Sequence, residues 1–74
     1  DHAARAQSLF DRELWVATID EASMALAAGA PELATPMRML VGRALEKLTS
    51  LALEVDPSLE PFRGRVGIDI ELAA

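Results

Sequence analysis

The chain has no cysteine and no tyrosine, a single histidine and tryptophan, and only two phenylalanines. Each scarcity closes a route. Without cysteine there are no disulfides and no thiolate zinc sites, the devices that most often stabilise folds below about 80 residues. The same absence fits a reducing compartment, so a cytoplasmic protein is expected. His2 sits at the chain terminus, which leaves no base for a serine nucleophile and no Glu-x-x-His pairs for a di-iron bundle. Glycines 29, 42, 64 and 67 are scattered, so they form neither a phosphate loop nor a dinucleotide fingerprint. No apolar run approaches the roughly 20 residues needed to cross a bilayer, and no membrane partner is expected.

Charge narrows the partners further. A net charge of −5 repels phosphate backbones. Arg38, Arg43, Lys47, Arg63 and Arg65 lack the interleaved aromatics of a nucleic-acid platform, so nucleic acid is not expected either. The acidic pairs Asp11 with Glu13, Asp20 with Glu21, and Asp69 with Glu71 have no further ligand spaced to join them. They read as solvated polar faces rather than metal or acid–base sites. No catalytic residue, metal or cofactor is therefore expected, and the chain is read as no enzyme.

What is present is mostly alanine and leucine within an apolar fraction of 51%. Both favour helix. Helix formers run from about residue 3 to 28, where Gly29, Ala30 and Pro31 provide a C-cap and a stop. At 100° per residue this helix carries two apolar stripes, one of Trp15, Ile19, Ala22 and Leu26, the other of Ala6, Leu9, Phe10, Val16, Ala17 and Met24. Burial on two sides follows, as in a bundle or a dimer. An alternative makes Leu14 to Ile19, with its Trp, Val, Thr and Ile, a strand of a small α+β domain.

Thr35 and Pro36 form an N-cap and N1 pair for a second helix over about 36–55. Its stripe is Met37, Leu40, Val41, Ala44, Leu48, Leu51, Ala52 and Val55, with Arg38, Gly42, Arg43, Glu46, Lys47, Thr49, Ser50 and Glu54 outside. The interior Gly42 costs about 1 kcal/mol relative to alanine, a cost that a close helix crossing would explain. A proline-containing linker spans 56–64, and its Asp56, Pro57, Ser58 and Leu59 resemble the Asp-Ser-Leu attachment site of acyl carrier proteins apart from the inserted proline and the missing helix after it. A ribbon-helix-helix repressor would place its strand before the helices, the reverse of the order here.

The last segment alternates: Val66, Ile68, Ile70 and Leu72 on one face, Arg65, Gly67, Asp69 and Glu71 on the other. That period of two predicts a half-buried strand at about 65–72. A single strand needs a neighbour for its backbone groups, which another chain would supply. The expected fold is thus mainly α: one domain of residues 1–74, an antiparallel helical hairpin followed by a short C-terminal β-strand paired with a second chain. The expected function is a non-catalytic protein–protein interaction and oligomerisation module, self-associating as a dimer or larger complex. Trp15, Ile19, Leu26, Val66, Ile68, Ile70 and Leu72 are its expected interface. The alternative is a small regulatory or accessory subunit of a larger enzyme or complex.

Overall fold

In the computed structural model, which describes residues 1–65, three α-helices precede one 3-10 helix: α1 (His2–Asp11), α2 (Trp15–Ala27), α3 (Pro31–Val55) and the 3-10 helix Pro57–Phe62. The described residues are mainly helical and contain no strand. Of the strand expected at 65–72, residues 66–72 lie outside the described part; Arg65 lies within it and is helical. The alternative strand at Leu14–Ile19 is overturned, because α2 takes Thr18 and Ile19 into its buried face at helical spacing.

The single helix expected over 3–28 is two. Asp1 caps α1 by accepting the Ala3 N–H at 2.9 Å. At the other end Glu13 adopts φ 62°, the left-handed region. There the Glu13 N–H donates to the Phe10 carbonyl and the Leu14 N–H to the Leu9 carbonyl, both at 3.0 Å. This pair of bonds is a Schellman motif, which usually places glycine where Glu13 stands. A non-glycine residue there costs on the order of 1–2 kcal/mol. The reversal brings α1 back onto α2 and α3, where Ala6 is fully buried and Ala3 and Phe10 pack against the core.

α2 ends as its sequence predicts. Gly29 has φ 81°, and its N–H donates to the Leu26 carbonyl at 3.1 Å. α3 starts earlier than Thr35: Pro31 occupies the first turn, followed by Glu32 near the positive end of the helix dipole. Pro36 therefore lies inside the helix, where it cannot donate to the Glu32 carbonyl. Glu32 is exposed, so water can take that acceptor's place.

The helices run antiparallel in sequence. His2 meets Glu21 at 2.6 Å, and Trp15 shares a surface with Leu48 and Leu51, so the beginning of each helix lies well along its neighbour. The core joins three alanines, Ala6, Ala22 and Ala25, to Met37 and Leu40, flanked by Leu26, Leu33 and Val41. Thr18 is the largest side chain wholly removed from water, and its hydroxyl donates to the Leu14 carbonyl at 2.8 Å, so no polar atom is stranded.

Along α3 the buried face changes. Met37, Leu40 and Ala44 face the core, but further on Thr49 and Leu53 are buried instead. Thr49 lies five residues beyond Ala44, about 140° round the helix. The 3-10 helix that follows also contacts α3. Thr49, expected outside, is only 7% exposed, whereas Leu51 and Val55, expected in the stripe, are 47% and 88% exposed. The cause is length. The 13 residues of α2 span about 20 Å and the 25 of α3 about 37 Å, so the end of α3 runs on past Trp15, where α2 begins.

Gly42 faces open space, with nothing within 4 Å of an added Cβ, so no close crossing explains it. Gly42→Ala is expected to raise stability by about 0.5–1 kcal/mol in thermal or urea unfolding. Gly29→Ala is expected to lower it by about 1 kcal/mol, since its left-handed backbone disfavours a Cβ even with space around it.

Candidate functional site

The uncovered end of the α3 stripe meets the corner between α1 and α2 on one surface. Its centre is Trp15, the first residue of α2, whose ring stands edge-on to Phe10 with centroids 5.3 Å apart and planes at 65°. Such T-shaped pairs are favourable because a positive ring edge meets a negative face. On one side of Trp15 an open depression of about 510 Å³ is floored by Leu14, Val16, Ala17 and Leu48. On the other, one of about 420 Å³ runs along Leu51 and Ser50. Glu13 and Trp15 line both, so the two form one groove.

The rim carries Glu13, Asp20, Lys47 and Glu54. A largely apolar floor inside a charged rim is the general anatomy of a protein-binding surface. The left-handed backbone at Glu13 sets the direction of this rim, because it turns the chain between Phe10 and Trp15. Leu14, Val16 and Leu51 are each over two-fifths exposed. Val55 continues the same α3 face one turn beyond Leu51.

The residues expected at an interface separate into three groups. Trp15 lies at the centre of the groove, half-buried. Ile19 is only 5% exposed and Leu26 packs against the core cluster, so both spend their surface inside this chain. Val66, Ile68, Ile70 and Leu72 lie outside the described residues. Of the two stripes expected on the first helix, the one holding Ile19 and Ala22 turns inward, while Val16 and Met24 from the other face water.

Other polar clusters have structural work. Glu21 meets His2, and Asp11 accepts from the Gln7 amide at 3.0 Å, while Asp69 and Glu71 lie outside the described residues. Arg63 makes a two-point contact with Glu60 at 3.2 and 3.0 Å. Asp56 accepts from both the Ser58 N–H, at 3.1 Å, and the Ser58 hydroxyl, at 2.6 Å, capping the 3-10 helix. The Asp-Pro-Ser-Leu run is thus accounted for by a cap. Among the described residues no three His, Asp or Glu side chains are grouped to hold a metal ion. No helix among them is long and apolar enough to cross a membrane.

Leu14, Val16 and Leu51 were not expected together. The sequence places Val16 and Leu51 each in a stripe, but nothing in either helix alone indicates that Leu51 falls beside Trp15 at the start of α2. Comparison with protein-family models, with curated proteins and with solved structures gives no match.

Trp15→Ala is expected to cost about 1–3 kcal/mol of stability, below the range for a fully buried tryptophan, through loss of the Phe10 contact and partial burial. Chemical denaturation followed by circular dichroism measures this, since the variant lacks the only tryptophan.

Proposed function

We propose that this chain is a non-catalytic protein–protein interaction module that associates with copies of itself. The observation that carries the proposal is the groove around Trp15, where Leu14, Val16 and Leu51 present apolar surface that no element of the described chain covers. Its physical motive is the thinness of the core. Among the described residues four of the eight buried apolar side chains are alanines, and a chain of 74 residues buries only about 60% of its unfolded surface. Covering a Leu or Val side chain adds roughly 1.5–3 kcal/mol before ordering costs, a large share of a small domain's stability. An isologous pair would cover the same patch on both copies at once.

Sedimentation of the purified chain over a range of concentrations tests this. A dimer or larger species is expected at micromolar concentration. Leu51→Glu places a charge on the groove while leaving the α1–α2–α3 core untouched, and it is expected to weaken association at least about tenfold. A chain that sediments as a folded monomer at every concentration would overturn the proposal.

A further inference from the structure

We infer that two copies of this chain exchange α1: the corner at Arg12–Leu14 straightens, α1 and α2 join into one continuous helix, and α1 of each copy docks on α2 and α3 of the other. The inference rests on the self-association proposed above and names its route.

The corner is the least favourable piece of backbone in the described chain. Glu13 is the one non-glycine residue there with positive φ, and no glycine or proline occurs anywhere from Asp1 to Ala28. Leu9, Arg12, Glu13 and Leu14 all favour helix, so local preference points to the straight form. The bent form is held by the two Schellman bonds of Glu13 and Leu14 and by tertiary contacts of α1.

Hydrogen bonding points the same way. The N-cap of α2 is Leu14, which offers no side-chain cap, and the first bond of helical spacing is from the Thr18 N–H to the Leu14 carbonyl, 2.9 Å. The N–H groups of Trp15, Val16 and Ala17 consequently have no helical acceptor. In a continuous helix they meet the carbonyls of Asp11, Arg12 and Glu13. The two Schellman bonds at Glu13 and Leu14 are replaced by ordinary helical bonds to Leu9 and Phe10. Straightening therefore gains backbone bonds and removes the left-handed residue.

What straightening loses, exchange restores. α1 is held by Ala6 within the core cluster that it forms with residues of α2 and α3, by Phe10 against Trp15, and by His2 against Glu21. Each of these contacts joins α1 to a residue on the far side of the corner, so a second copy can supply either partner unchanged. The two straightened segments must pass each other near residue 13. Leu14, Trp15 and Val16 lie directly beside that point, so the exchanged pair covers the groove at its two-fold axis.

Because the chain has no cysteine, thiol cross-linking reports the arrangement cleanly. His2 and Glu21 touch through the ends of their side chains, so a chain carrying both His2→Cys and Glu21→Cys is linked with a short bis-maleimide, which spans more than a direct disulfide can. Refolded at high concentration, it should run mainly as a covalent dimer on a denaturing gel. An equal mixture of the two single variants, unfolded and refolded together, should give a cross-link between one variant and the other. Glu13→Gly eases the bend and weakens the straight helix, so it should raise the dimer dissociation constant at least about tenfold, whereas Glu13→Ala should not raise it. A sedimenting dimer whose double variant forms only the intrachain cross-link rejects exchange but keeps self-association. A monomer at every concentration rejects both.

Discussion

Alanine contacts set the terms for everything else in this molecule. Ala6, Ala22, Ala25 and Ala44 lie at the helix contacts almost wholly out of water, and a methyl group is all that each contributes. Such contacts cost little side-chain entropy to order, but they also remove little apolar surface. Met37, Leu40, Leu53 and Ile19 are the larger buried apolar side chains, and they must supply most of the remaining driving force. With a core so light, apolar area left outside it weighs heavily in the energetics.

The uncovered area has a geometric origin. α3 is nearly twice as long as α2, and α1 is shorter still, so a three-helix packing that is complete around Met37 and Leu40 thins out toward Leu48 and Leu51. Thr49 and Leu53 of α3 are buried on another side, and the 3-10 helix also contacts α3. Leu51 and Val55 remain open. Trp15 stands at the junction, joined to Phe10 behind it and exposed to the groove in front. The same residue thus contributes both to the fold and to the floor of the exposed groove.

The helical character of the described chain was legible from composition, and so were the end of α2 at Gly29 and the inward face of α3 from Met37 to Ala44. These are local properties: a left-handed cap suits glycine, and a period of 3.6 marks a buried face. The break at Arg12–Leu14 was not legible, because Glu13 gives no sign of adopting a conformation that normally selects glycine or asparagine. Its cause is tertiary, the burial of Ala6 against α2. Pro31 was taken as a stop for one helix when it opens the next, since fixed φ suits both roles. Of the site, Trp15 was legible as a lone aromatic of consequence. Which sides of Thr49, Leu51 and Ile19 would face water depended on where neighbouring helices end.

The central claim is that folding of this light core is coupled to association. The most direct measurement is the thermal midpoint of unfolding as a function of protein concentration, since a state stabilised by a second copy gains stability by mass action. The account predicts a midpoint that rises steadily from low micromolar to high micromolar concentration. A midpoint that stays constant over that range, with a fully folded chain at its lower end, would contradict it.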